Sequence, residues 1–324
     1  MKIIRLADSS AEPPLVHDTA PQPEPGQGEV LIRVCAAAVM PTELFWYPTS
    51  HTKSGVKRSR AIPGHEFSGV VASASPKAGN LEPGLEVFGM NDWFADGAMA
   101  EYCVAPVSAV ASKPPRLSHA EAASVPISAL TAWQGLLDRA KIRSGERVLV
   151  HGGAGAVGAY AVQLARLHGA RVTATASAGD AAFVRELGAE QVIDYRASRF
   201  EQWVSDMDVV FDTVGGETLG RSWGVLKEHG RMITIASAEE NAIDPRSKEA
   251  FFTVEPSRKQ LTLIANLLET GELRPFVSAV VPLSRAPEVF AGAVPRQHRG
   301  KVVVSLADAN QVEGIMTQSK WESA

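Results

Sequence analysis

Residues 147–158 read RVLVHGGAGAVG. An apolar run ends on three spaced glycines, Gly153, Gly155 and Gly158, and a helical pattern, AYAVQLARLHG (159–169), follows at once. G-x-G-x-x-G alone is a weak signal, because glycine-rich turns are common. Between a strand and a helix it is the arrangement that cradles a pyrophosphate. Gly153 is expected to allow the tight turn, Gly155 the close approach of backbone to anion, and Gly158 the packing of helix on strand. Ala154, Ala156 and Val157 complete the turn, and the helix N-terminal N–H groups face the phosphates. Val157, Ala161, Leu164 and Leu167 form an apolar stripe, and Gly169 stops the helix. The competing reading is a structural strand-to-helix turn with no ligand.

Around this stretch, strand and helix patterns alternate. RVLVH (147–151) precedes a helix over 156–168, RVTATA (171–176) a helix over 180–187, and QVIDY (191–195), DVVFDTV (208–214) and RMITIAS (231–237) supply three more strands. Short apolar runs alternating with helices imply a parallel sheet covered on both faces. Before residue 120 the character differs. EVLIRVCAAAV (29–39), FSGVVASAS (67–75), LEVFGM (85–90) and AMAEYCVAP (98–106) are β-like runs set off by Pro and Gly, the signature of a compact β unit. The basic stretch 48–64 reads as a mobile loop with solvated charges. HAEAASVPISALTAWQGLLDRA (119–140) reads as two helical segments broken at Pro126. The tail mixes a helix over 257–273, strands at 277–283 and 300–306, and a short helix in APEVFAGAV. The fold class is therefore α/β, in three stretches: 1–122, 123–260 and 261–324.

The end of the second strand bears on the cofactor. An NAD site carries an acid about 20 residues after the glycines to accept the ribose hydroxyls. Here the strand ends Thr175, Ala176, Ser177, Ala178, with no acid, and Asp180 reads as a helix cap. Ser177 is a donor for a 2′-phosphate, and Arg196, just past Tyr195 in VIDYR, supplies positive charge. NADP is favoured over NAD.

The 324 residues are 45% hydrophobic and 21% charged, ordinary globular values that at this length favour two domains. The net charge of -4 and pI near 6.1 offer nothing to nucleic acid or an anionic membrane. No apolar run approaches the roughly 20 residues of a spanning helix, and MKIIRLADSS lacks a secretory pattern. Cys35 and Cys103 are too few for a disulfide framework or a four-thiolate zinc site. A cytoplasmic setting is expected.

GHEFSGVV (64–71), SALTAWQGLL (128–137), RVLVHGGAGAVG (147–158), DVVFDTVGG (208–216) and GKVVV (300–304), in this order, resemble the medium-chain dehydrogenases/reductases. The branch resembled is the zinc-independent quinone oxidoreductase group. The resemblance covers nearly the whole chain. It implies a Rossmann doubly wound parallel sheet inserted into a GroES-like β-rich catalytic domain built from both chain ends. Where zinc relatives carry a cysteine ligand, VMPTE (39–43) places Met40, a poor zinc ligand. Cys35 reads as a small buried hydrophobe. His65 and Glu66 survive from GHE without ligand partners, so no metal is expected. Without zinc to polarise an alcohol, the implied chemistry is hydride transfer from NADPH to a quinone or an enone C=C bond, a small electrophilic substrate. The protein orients it and stabilises the developing enolate.

The resemblance places Thr131 near the nicotinamide. It places Val214, Gly215, Ile235, Ala236 and Ser237 along the cofactor groove, and Phe252 and Val254 of FFTVEP at the carboxamide. For these apolar residues, core packing is the competing reading. Thr42 sits where zinc relatives carry a relay hydroxyl; Thr42 or Tyr47 is a candidate donor to a substrate carbonyl, and water is the alternative. Phe45, Trp46 and Trp93 form either an apolar lid or domain packing. A homodimer is expected by resemblance. A zinc alcohol dehydrogenase and a nucleotide-binding regulator without turnover are the competing functions.

Overall fold

A computed structural model describes residues 1–7, 14–75, 80–236, 244–295 and 299–306. Along the chain the strands are β1 (Lys2–Leu6), β2 (Leu15–Thr19), β3 (Glu29–Ala38), β4 (Glu66–Ala74), β5 (Glu86–Met90), β6 (Tyr102–Pro106) and β7 (Val110–Ser112). A second series follows: β8 (Arg147–His151), β9 (Arg171–Ala176), β10 (Gln191–Asp194), β11 (Met207–Asp212) and β12 (Leu226–Thr234). Finally come β13 (Val277–Pro282) and β14 (Lys301–Ser305). They divide between two units, one made of Met1–Ile127, Pro256–Thr270 and the stretch from Pro275, the other of Ser128–Glu255 with Gly271–Arg274.

In the first unit a sheet runs β13-β14-β3-β4-β5-β7, with β6 also on β3. Alternation in β3 sends Val30, Ile32 and Val34 into a core shared with Ile3, Phe67, Val87 and Val304. β14 pairs antiparallel with β3 (Val303↔Ala38), so residues past 300 complete a sheet begun near residue 30. The helix His119–Ala123 starts at Ser118, whose hydroxyl and the Glu121 carboxylate cap each other's backbone N–H.

Within 48–64, residues 53–57, 59 and 60 are exposed, as expected for solvated charges. Three of its four Lys and Arg side chains also meet acids brought by other segments: Lys53 pairs with Asp92, Arg58 with Asp96 and Arg60 with Asp18.

In the second unit five strands, all parallel, run β10-β9-β8-β11-β12. The chain steps from β8 outward to β10, then returns to the other side of β8, which places the topological switch between β8 and β11. All six residues of β11 are buried, as both-face coverage requires. This is the α/β architecture expected, a Rossmann sheet in one unit and a β-rich sheet in the other.

Local details differ. The helix after the glycines spans Gly158–Leu167 and is buried from Gly158 to Ala165, whereas Leu167 is 39% exposed, so the expected stripe is too narrow. Gly169, at φ +77°, does end it. Pro126 opens the second helical segment, Pro126–Trp133, and a π-helical turn, Gln134–Arg139, prolongs it. β12 begins earlier than expected, with a bulge between its pairings to Met207 and Val209. No helix among the described residues is long and apolar enough to cross a membrane.

Candidate functional site

The glycine turn lies at the C-terminal end of β8. Its left-handed residue is Gly152 (φ +73°), not Gly153 as the spacing suggested. Gly153 instead donates its N–H to the Thr175 carbonyl (2.9 Å), tying the turn to β9, and Gly155 donates to the Gly152 carbonyl (2.9 Å). Gly158 has the packing role expected. A Cβ there would overlap the Gly152 carbonyl oxygen and lie 2.8 Å from its carbon and 3.0 Å from Gly153 Cα. The helix begins at Gly158, beyond Ala154, Ala156 and Val157, and its Ala159 N–H is taken by the Gly155 carbonyl (3.0 Å).

The turn borders a cleft of about 610 Å³ over the ends of β8, β9, β10 and β11. Of the residues singled out from sequence, Tyr195, Arg196 and Val214 line it, and Tyr195 and Val214 are more than half exposed. Arg196 donates to the Tyr195 hydroxyl (3.2 Å). Sequence reasoning missed the rest of the wall: His151, Thr175, Arg199, Phe200 and Arg221 among others. Arg199 and Arg221 both reach Glu201, at 3.1 and 3.2 Å. Desolvation pushes the other way, but a backbone hydrogen bond and these two guanidinium groups hold the Glu201 carboxyl below the usual range.

Ser177 caps no helix and donates its hydroxyl to Asp180 (2.6 Å). Asp180 stands at the N-cap position of the helix Ala181–Glu186, but its carboxylate takes no helix N–H, so the expected side-chain cap is absent. The hydroxyl that meets the glycine turn is that of Thr175, which accepts from Gly152 N–H (3.2 Å).

Beyond β11 the loop is shaped by Asp212, fully buried, whose carboxylate accepts from Val214 N–H (3.1 Å), Gly215 N–H (2.9 Å) and Thr234 Oγ1 (2.8 Å). An Asp closing a buried strand ahead of Gly-Gly was the available signal. Ile235 N–H bonds the Asp212 carbonyl and Ala236 N–H the Thr234 hydroxyl; Ser237 lies outside the described residues. Phe252, Val254 and Thr131 are buried and do not line the cleft. The Gln134 side chain clamps the same segment through both backbone groups of Glu255 (2.7 and 3.0 Å).

Thr42 and Tyr47 belong to the first unit. Thr42 is exposed on the turn Pro41–Phe45, and Tyr47 is 55% exposed and stacked on His51 (4.3 Å). Their neighbour Glu43 is wholly buried, lies 2.7 Å from His65 Nδ1 and accepts from Gly64 N–H (3.1 Å). His65 Nε2 bonds the Trp93 carbonyl (3.1 Å). A carbonyl only accepts, so this nitrogen carries a proton and has no lone pair to offer a metal. Glu66 is taken up by Lys301 and by Ile127 N–H (3.0 Å), with burial pushing its carboxyl up against the pull of Lys301. Cys35 is half-buried, Cys103 is buried with its thiol pushed up to about 12, and no cluster of three metal-type donors occurs among the described residues. The donors present do not fit a catalytic zinc. Trp46 and Trp93 pack edge to face at 5.2 Å, while Phe45 is 87% exposed.

Residues 26–115 match the alcohol dehydrogenase GroES-like domain, and residues 187–304 the family described as zinc-binding dehydrogenase. The chain is 32% identical to a probable mitochondrial zinc-binding oxidoreductase of Arthroderma benhamiae, over 90% of this chain and 93% of that one. It is 33% identical to 2-methylene-furan-3-one reductase of Solanum lycopersicum, over 87% and 73% respectively. Among solved structures, the quinone oxidoreductase from Coxiella burnetii superposes with a TM-score of 0.82 at 29% identity, over 94% of this chain and 99% of that one.

Proposed function

Because this chain is an oxidoreductase of the medium-chain dehydrogenase/reductase superfamily, in its quinone oxidoreductase-like branch, we propose that it reduces a quinone or the C=C bond of an α,β-unsaturated carbonyl with NADPH, without zinc. The observation that carries this reading is the cleft at the strand ends, with a glycine turn on one border and arginines in its wall. When bound, the dihydronicotinamide supplies the hydride. The turn 152–158 would take the pyrophosphate on backbone N–H groups and the helix N-terminus. Tyr195 offers an exposed ring for stacking on adenine, and Arg196 a guanidinium for the 2′-phosphate, in a field made more positive by Arg199 and Arg221. Thr131, Val214, Gly215, Ile235, Ala236, Ser237, Phe252 and Val254 are the groups for the nicotinamide half. The exposed hydroxyls of Thr42 and Tyr47 are the donors for a substrate carbonyl, with water as the proton source otherwise. Absence of zinc is supported by the bonding of His65, whose two ring nitrogens are both engaged, and by Met40.

NADPH oxidation is expected with quinones or enones and to be unchanged by a chelator. Chelator-sensitive alcohol oxidation restored by zinc would sink the proposal, and tight NADPH binding without turnover on any class would favour a regulator. For cofactor choice, the double substitution Arg196→Ala/Arg199→Ala is expected to weaken NADPH roughly tenfold or more and leave NADH within about twofold, since each charge-assisted contact is worth about 1.5–3 kcal/mol. Equal affinities of the unaltered protein for NADPH and NADH would defeat the preference.

A further inference from the structure

The cleft wall holds a buried titratable side chain that none of the roles above uses. His151 ends β8, has no exposed surface, and precedes the left-handed Gly152. Its Nε2 lies 2.9 Å from Ser222 Oγ and its Nδ1 3.1 Å from Thr175 Oγ1. The Ser222 hydroxyl donates to the Thr218 carbonyl (2.6 Å), so it accepts from His151 and Nε2 carries the hydrogen. Nδ1 then accepts from the Thr175 hydroxyl, which itself receives Gly152 N–H (3.2 Å). The main chain joins in, the His151 carbonyl accepting from Thr213 Oγ1 (2.8 Å). One directed chain thus runs from the glycine turn through Thr175 of β9 and the imidazole to the helix Gly216–Ser222, which bears Arg221.

We propose that His151 is a positioning residue of the dinucleotide cleft: as a neutral imidazole held in its Nε2–H form, it ties the glycine turn and β9 to the Gly216–Ser222 helix and so fixes the wall against which the dinucleotide lies. The inference rests on the cleft being a dinucleotide site. A second proton, on Nδ1, would face the Thr175 oxygen that already accepts Gly152 N–H, and the Thr175 hydroxyl hydrogen would have to turn away. Two things oppose that proton, burial and Arg221 on the neighbouring helix; Glu201 on the Phe200–Gln202 turn favours it. Asp212, paired beside His151 in β11, has its carboxylate committed to Val214, Gly215 and Thr234. Burial, with Arg221 adding, pushes the imidazole down to about 4.

The test has two readouts. In the protein without cofactor, long-range ¹H–¹⁵N spectra of labelled histidine are expected to show His151 as the Nε2–H tautomer, unchanged down to about pH 5. An Nδ1–H tautomer, or titration near 6.5, overturns the proposal. Second, NADPH dissociation constants are measured for the unaltered protein, His151→Phe, Thr175→Val and Ser222→Ala. The His151→Phe variant is expected to bind roughly tenfold more weakly and each partner variant about threefold, as fits the loss of one or two buried hydrogen bonds. On lowering the pH towards 4.5, affinity should fall more steeply for the unaltered protein than for His151→Phe, the ionisation of the 2′-phosphate being common to both. Affinities within twofold for all three variants overturn the proposal; if His151→Phe does not fold, the two partner variants decide alone. An unaltered protein that binds neither NADPH nor NADH fails the dinucleotide reading itself, an outcome separate from equal binding by the variants.

Discussion

Gly158→Ala is expected to unfold the glycine turn and to raise the NADPH dissociation constant about a hundredfold. The added Cβ meets backbone, the Gly152 carbonyl and Gly153 Cα, rather than the end of a flexible side chain. The helix start must therefore shift away from β8 or the turn must open. Overpacking against immovable atoms falls at the upper end of the usual about 1–3 kcal/mol, which corresponds to a Tm lower by roughly 10 °C. Either movement displaces at least two N–H groups that would hold the pyrophosphate, and two charge-assisted hydrogen bonds account for the hundredfold loss. Gly220→Ala is the control. It lies in the helix Gly216–Ser222, its Cβ would meet nothing within 4 Å, and stability should be unchanged or up to about 1 kcal/mol higher. Calorimetry and fluorescence titration of the two variants check this. If Gly158→Ala melts and binds like the unaltered protein, the close approach of helix and turn is wrong.

Lys301→Met is the second large effect, expected to destabilise the first unit by about 3–5 kcal/mol near neutral pH because it leaves a buried carboxylate without its cation. Lys301 and Glu66 are 6% and 1% exposed, and they join β14 to β4. The sign of the pH dependence follows from Glu66, whose carboxyl is held above its ordinary value chiefly by burial. Between its unfolded and folded values the folded chain binds more protons, so stability falls as the pH rises through that window. Without Lys301 the window extends upward. The deficit should be greatest near about pH 8 and shrink towards about pH 5 as more of Glu66 takes up a proton. Glu66→Gln combined with Lys301→Met should recover most of the loss. Denaturant melts at both pH values test this, and a deficit below about 1 kcal/mol or independent of pH would refute the pairing.

What was legible in the sequence was local and periodic. Apolar runs at 147–151, 171–176 and 208–214 announce buried parallel strands, the last of them ending at Asp212, and the spacing of Gly153, Gly155 and Gly158 announces the turn between strand and helix. The branch could be placed because Met40 stands where a thiolate would be. Partnerships across the fold were not legible. Nothing near Glu43 says that it will hold His65, and nothing near Glu66 points to a lysine 235 positions away. Arg221 joins the cleft because its helix returns beside β8, a fact of topology rather than of pattern. The tight turn fell at Gly152 because a one-residue shift leaves Gly153 free to bond Thr175. Asp180 holds the position of a cap, but its carboxylate takes the hydroxyl of Ser177 instead.

The pairing of β14 with β3 also bears on the order in which a ribosome releases the parts. The strands of the parallel sheet lie within 147–234, so that unit can collapse as soon as it clears the exit tunnel. β6 covers the outer flank of β3 over residues 29–33, but on that flank residues 36–38 meet their partners only when 303–305 have been synthesised. That end of β3 therefore stays an open template throughout most of translation. A chain that emerges in this order gives the parallel-sheet unit a head start, and leaves the other unit the later of the two to close.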